Sequence, residues 1–305
     1  MGETTEISRR ARIMRELVLG INRNNFYRET KEQTRGISDI DKEFKYPAHI
    51  KVNRIDMQNF SMELLEREDM SSDFVILQLH GGGYVGALKN IYRTFAGLYS
   101  EVGSGAKVLT IDYRVAPENK YPAALEDALA AYDWLLEQGY PEDKIIFAGD
   151  SAGGGLAMSL CHKLKDDGRK LPKAIVAMSP WTDLTLSGES YITNKNIDPL
   201  FGSNDSGILY DNPYATEEEK KHPYVSPLFG NFEGFPDMLV QVGSHEMLLC
   251  DSKAVCEKAK DAGVKVKYSE YQGMFHVFQM GTTFMPESKK AWAEIAKFLQ
   301  LEMDL

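Results

Sequence analysis

Cysteine and tryptophan are both scarce, with 3 of each in 305 residues. Cys161, Cys250 and Cys256 are an odd set without paired spacing. That excludes a disulfide-stapled scaffold and a Cys-x-x-Cys metal site. They are expected as buried or helix-surface thiols in a reducing cytoplasmic setting. No apolar run is long enough to span a bilayer. The N-terminal stretch MGETTEISRRARIMRELVLG has no apolar h-region and no cleavage site, so a secretory signal is not expected. Internal repeats and low-complexity linkers are absent. Positive charge is also in short supply: 35 Lys and Arg against 45 Asp and Glu leave a net charge of −10. Such a surface argues against nucleic acid and anionic membranes as partners.

What is present is an ordinary globular composition, 43% hydrophobic, enough for one large α/β domain with an insertion or two smaller domains. A polar start with scattered Ile, Leu, Met and Phe, from about residue 5 to 35, suggests one or two amphipathic helices. Two β-like runs follow, HIKVNRIDM and FSMELLERE. FVILQLH (74–80) reads as a strand buried on both faces. From there β-like runs (AKVLTIDY, KIIFAGD, KAIVAMSP, DMLVQVGS, VKVKYSEYQG) alternate with helical periodicity. One helix, AALEDALAAYDWLLEQG, ends in Gly139 as a C-cap. The alternation predicts a doubly wound sheet with helices on both faces. Residues 181–230, rich in Asn, Asp, Pro, Gly and Tyr, are too long for an ordinary connection. They are expected as an insertion over the carboxyl edge of the sheet, where such folds bind ligands.

Three motifs carry chemistry. Gly149-Asp150-Ser151-Ala152-Gly153 matches G-x-S-x-G between a strand and a helix, the context a nucleophile elbow requires. The turn would expose the Ser151 hydroxyl and aim the Ala152 amide at a developing oxyanion. A phosphate cradle is disfavoured, because no Gly-Lys-Ser/Thr follows. HGGGY (80–84) comes directly after the buried strand. Its glycines let the Gly82 and Gly83 amides approach a carbonyl oxygen, and His80 is expected to brace the loop. His276, in YQGMFHVFQM, is the only histidine between the last strand and the closing helix, and imidazole suits a proton acceptor. The acid that orients it should follow DMLVQVGS, where SHEMLLCDS offers Glu246 and Asp251. His245 reads as a solvated loop side chain. Asp112, Arg114 and Glu118 are expected to form an ion-pair network beneath the site, and Asp150 to be structural.

Taken together, HGGGY, DYRVAPE, YPAALED, GDSAGG and GMFHVF resemble the bacterial hormone-sensitive-lipase family of carboxylesterases, from about residue 74 to the C-terminus. The resemblance implies an α/β-hydrolase fold, a mainly parallel eight-stranded sheet flanked by helices, with a helical cap. It implies Ser151 as nucleophile, His276 as base, and Gly82, Gly83 and Ala152 as oxyanion donors. The family's D-x-L-like acid motif is replaced here by E-M-L-L-C-D. Aligning the Leu-x-x-Asp-Ser tail puts Glu246 at the family's acid position. Asp251 then reads as a first-turn helix residue. The cap corresponds to residues 1–45 and 181–230, and the core to 46–180 and 231–305. Phe26, Tyr191, Leu200 and Phe201 are candidates for lining the pocket. The expected activity is hydrolysis of small short-chain esters by a Ser-His-Glu triad, without cofactor or metal, in a protein that can form a homodimer. Two alternatives share the scaffold: a non-catalytic receptor, against which His276 argues, and an amidase or peptidase, separable by paired ester and amide substrates.

Overall fold

A computed structural model describes residues 7–21, 38–202 and 207–304. The apolar runs become β1 (Ile50–Asp56), β2 (Ser61–Arg67), β3 (Val75–Leu79), β4 (Lys107–Asp112), β5 (Ile145–Asp150), β6 (Ala174–Met178), β7 (Asp237–Gly243) and β8 (Val266–Tyr271). They form one eight-stranded sheet in the order β1-β2-β4-β3-β5-β6-β7-β8. β1–β2 and β2–β4 pair antiparallel, and every pairing from β4 through β3 to β8 is parallel. β3, β5 and β6 are buried at every position, as mainly apolar strands are when helices cover both faces.

Those helices are α2 (Asn90–Val102) and α8 (Pro286–Glu302) on one face, and α3 (Ala123–Glu137), α4 (Ala152–Asp166) and α7 (Leu249–Asp261) on the other. The side-chain period of two divides each strand between them. Ile76, Val108, Ile146, Val176 and Leu239 cluster with Phe95, Tyr99, Trp292 and Ile295. Their neighbours Leu77, Leu109, Phe147, Ile175 and Val240 cluster with Leu125, Leu156 and Val255. Gly139 stands just past α3 with φ +88 and its N–H on Leu136 O, the left-handed ending expected of a glycine C-cap. The polar N-terminus yields α1 (Arg9–Ile21); residues 22–37 lie outside the described ones. Between β6 and β7 the chain holds no strand among the described residues, only 3-10 turns and the short helices α5 (Ser190–Thr193) and α6 (Gly207–Tyr210).

The sheet's order reverses between β3 and β5. β3 connects onward to β4 on one side, while β5 lies on its other side and β6, β7 and β8 continue outward. Such a switch point leaves a crevice at the carboxyl ends of the strands. Here Leu79 pairs with Gly149, so HGGGY and GDSAGG emerge side by side.

One sequence expectation changes here, the Asp112–Arg114–Glu118 network. Arg114 binds Asp127 and Glu126 rather than Glu118, and Glu118 is exposed. Asp112 accepts from the Leu88 N–H and the Ser38 hydroxyl instead. Arg114 and Asp127 meet because β4 delivers one and the first turns of α3 the other, a proximity that sequence distance conceals. The cysteines are free; Cys161 and Cys256 are buried and Cys250 is half-buried.

His162, on α4, packs against Phe232 and Phe235 and donates from Nε2 to Pro227 O at 3.1 Å. Burial pushes its pKa down to about 4. The folded state therefore binds this proton less readily than the unfolded chain. The stability it contributes is complete above the ordinary histidine pKa and is lost as pH falls from there through about 4. Up to roughly 3 kcal/mol is at stake, or several degrees in Tm. His162→Gln should show a smaller drop in Tm between pH 7 and pH 5 than the wild type does. An identical drop in both would contradict this.

Candidate active site

Ser151 sits where β5 turns into α4, with φ 53 and ψ −124, a backbone state that side chains with a Cβ rarely adopt. The flanking glycines make the turn feasible. A Cβ on Gly149 would lie 2.4 Å from the Gly153 carbonyl, and one on Gly153 would lie 2.0 Å from Leu79 O. The elbow is fastened to the end of β6: Ser151 N–H donates to Met178 O and Trp181 N–H donates to Ser151 O, both at 2.9 Å. Ala152 is the first residue of α4, so its amide belongs to the open first turn of the helix.

The HGGGY loop runs beside the elbow. Gly82 and Gly83 hold φ +111 and +62, and among the described residues no hydrogen bond takes up either amide. Below them, His80 stacks on Tyr113 at 4.1 Å and donates from Nδ1 to Gly81 O at 2.7 Å. The Tyr113 hydroxyl donates to His80 O at 2.7 Å. His80 thus braces the loop. Asp150 accepts from the Gly81 N–H at 3.2 Å, tying elbow to loop. Burial pushes its carboxyl up to about 7, while His276 pulls it the other way.

His276 follows β8, and Glu246 lies three residues past the end of β7. The Glu246 Oε2 to His276 Nδ1 distance is 2.9 Å. Its other oxygen accepts from the Ser179 hydroxyl at 2.8 Å and the Gly243 N–H at 2.5 Å. Ser179 Oγ in turn accepts from the Val277 N–H at 3.1 Å. The glutamate is fully buried, and His276 and Ser151 each expose 6%. A charged carboxylate in such a place needs this many donors.

Asp251 is elsewhere. It stands in the first turn of α7, and its carboxylate accepts from the Thr182 and Asp183 N–H groups and the Tyr191 hydroxyl, each at 2.8 Å. Burial pushes it up to about 7. It anchors the start of the segment after β6. Tyr191 is therefore bound to Asp251 and does not line the cavity, contrary to expectation, whereas Leu200 and Phe201 do line it. Phe26 lies outside the described residues. His245 also departs from its expected role. It is half-buried, with Nδ1 2.9 Å from Arg15 Nη1, because α1 packs down onto this loop.

Ser151, His276, Gly82 and Gly83 all border one cavity of about 260 Å³. Apart from Asp150 and Tyr92, its remaining walls are mainly apolar: Met14 and Val18 from α1, Trp181, Leu200, Phe201, Ile208 and Leu209 from the segment after β6, and Phe275, Val277 and Met280 around His276. The Phe201 ring lies 4.8 Å from the His276 ring. A hydroxyl, an imidazole held by a carboxylate, and two glycine amides around a largely apolar pocket make a setting that suits acyl transfer.

Sequence reading overlooked the groups that secure this setting. Asn194 donates to Ser244 O and Glu246 O at 3.1 and 2.7 Å. Asp198 accepts from Leu200, Phe201 and Met247 N–H groups at 2.8, 3.0 and 2.7 Å. Asn212 links Gly83 O to Ile208 O at 2.8 Å each. Asp198-Pro199 has turn character, a signal that marks Asp198; Asn194, Asn212 and Ser179 carry no local signal.

Comparison with known proteins bears on the same region. A family model described as alpha/beta hydrolase fold matches residues 76–280. An acetyl-hydrolase of Streptomyces hygroscopicus is 39% identical over 225 residues, 74% of this chain and 75% of that protein. An esterase of Acinetobacter venetianus is 39% identical over 240 residues, 77% of each. Among solved structures, an esterase from the bacterial hormone-sensitive lipase family superposes with TM-score 0.80 at 34% identity, covering 98% of this chain and all of that one. The metagenomic homologue EstE7 gives 0.84 at 31% identity, covering 96% and 98%.

Proposed function

Because this chain belongs to the bacterial hormone-sensitive-lipase family of α/β-hydrolases, we propose that it is a carboxylesterase that cleaves small short-chain esters through an acyl-enzyme on Ser151. The observation that carries this reading is the Glu246–His276 hydrogen bond of 2.9 Å at the wall of the cavity that Ser151 also borders. Ser151 Oγ attacks the ester carbonyl carbon as His276 Nε2 takes its proton. Glu246 keeps the other ring proton on Nδ1 and stabilises the imidazolium. The carbonyl oxygen, now an oxyanion, receives the Gly82, Gly83 and Ala152 amides. Collapse of the tetrahedral intermediate expels the alcohol, which leaves with the proton from His276. Water then attacks the acyl-enzyme with His276 again as base, and the carboxylic acid departs.

Residues 1–45 and 181–230 act as the cap in this reading. Their described members supply most of the apolar walls, and a cavity of about 260 Å³ has room for a small acyl group. Hydrolysis rates of chromogenic esters should peak at about two to six acyl carbons, the range that the family resemblance implies for a site narrowed by two cap segments. Efficient cleavage of long-chain emulsions with little turnover of acetate or butyrate esters would contradict the reading.

A further inference from the structure

Arg15 lies on α1 between two residues that line the cavity, Met14 and Val18. Its side chain leaves the helix and reaches two other segments of the chain. Nη1 is 2.9 Å from His245 Nδ1, and Nη2 donates to Ile197 O at 2.8 Å. A guanidinium only donates, so His245 accepts at Nδ1 and carries its proton on Nε2. Burial, and then the neighbouring Arg15 cation, hold the His245 pKa below the ordinary range. The ring is therefore neutral and remains an acceptor at neutral pH. His245 is the residue before Glu246, and its own N–H is held by Met274 O at 2.9 Å. Ile197 comes just before Asp198, whose carboxylate sets the Leu200 and Phe201 amides. One side chain thus joins the helix above the pocket, the acid-bearing loop and the strip that presents Phe201 to His276.

We propose that Arg15 is a positioning residue that clamps α1 over the cavity and thereby sets the size of ester the site admits. The proposal rests on the esterase reading above. The start of α1 has its own attachments: Ser8 donates from N–H and hydroxyl to Glu287 at 2.7 and 2.9 Å, and Arg10 donates to Phe284 O at 3.1 Å. These lie at the α8 side. Losing Arg15 leaves the half of the helix that carries Met14 and Val18 held chiefly by apolar packing and so loosens it, while the first turn stays attached. The fork geometry matters, because two donors in one plane meet two acceptors on different segments. A lysine ammonium is a single point charge and cannot reproduce it.

The test compares the wild type, Arg15→Met and Arg15→Lys as full chains, with nitrophenyl butyrate and nitrophenyl decanoate as substrates. Amide hydrogen exchange is followed over residues 9–21 and, as a check on folding, over β3 and β5. For Arg15→Met, KM for the butyrate should rise about tenfold with kcat held within about twofold, the loss expected of a charge-assisted hydrogen bond. The decanoate-to-butyrate ratio of kcat/KM should rise by about the same factor. Residues 9–21 should exchange faster, with β3 and β5 unchanged. Arg15→Lys should fall between. An unchanged KM, ratio and exchange in Arg15→Met overturns the clamp, and so does an equal fall of kcat on both esters. A wild type that hydrolyses neither ester refutes the esterase reading instead. In that case exchange alone decides the clamp: faster over residues 9–21 upholds it, unchanged overturns it.

Discussion

Replacing Ser151 with alanine should lower kcat for ester hydrolysis by roughly four to six powers of ten, the usual cost of removing a triad nucleophile. The fold should survive. Serine and alanine both carry a Cβ, so the φ of 53 at this position costs each about the same. What holds the elbow is backbone: the bonds to Met178 and Trp181 do not involve the hydroxyl. Thermal midpoints should agree within about two degrees, as for a substitution that touches neither cap nor core packing. An activated phosphonate ester should add its mass covalently to the wild type and not to the variant. A folded Ser151→Ala protein turning over near the wild-type rate would end the nucleophilic reading, whatever the other residues do.

The second large effect separates two acids five residues apart. Glu246→Gln should cut kcat by about three to four powers of ten, comparable to neutralising the acid of a serine-hydrolase triad. The amide can still accept from Gly243 and Ser179 through its oxygen, so the loop should keep its shape. Its NH2 would then face His276 Nδ1, which must turn acceptor and move its proton to Nε2, the nitrogen needed as base. Asp251→Asn should do the opposite. Asp251 accepts from Thr182, Asp183 and Tyr191, and an amide keeps only one of its two acceptor oxygens. A stability loss of about 1–3 kcal/mol is expected for the disturbed buried bonds. Turnover per folded molecule should stay within a few-fold. Denaturant midpoints and kcat measured on both variants check this together. If folded Asp251→Asn were silent and Glu246→Gln active, the acid would have been misassigned.

Much of this architecture is legible in the chain because it is written locally. FVILQLH is short, β-branched near its start and almost wholly apolar, which fits a strand between two helix layers. G-D-S-A-G-G specifies a turn so tight that Cβ atoms at Gly149 and Gly153 would overlap backbone. The choice of Glu246 rests on its position between the end of a strand and the start of a helix and on the alignment that the family resemblance allows, and the structure brings that residue to 2.9 Å from His276. The ion pairs were less readable. Glu118 is four residues from Arg114 and Asp127 is thirteen, yet Asp127 takes the guanidinium. Choice of partner depends on which side chains the sheet and helices aim at each other, not on spacing along the chain.

The sequence by itself determined the strand-and-helix alternation, the two glycine turns and the choice of candidate reactive side chains. Each depends on backbone torsions, periodicity and steric limits acting within about ten residues. Only the tertiary structure decided what surrounds those side chains. Ser179 supports Glu246 across 67 positions and Arg15 reaches His245 across 230. Asn212 holds the Gly83 carbonyl from 129 residues away. Such bonds form because the order of the strands and the packing of α1 bring distant segments within 3 Å. A polar side chain that is anonymous in the sequence acquires its partner only when burial removes water as the alternative.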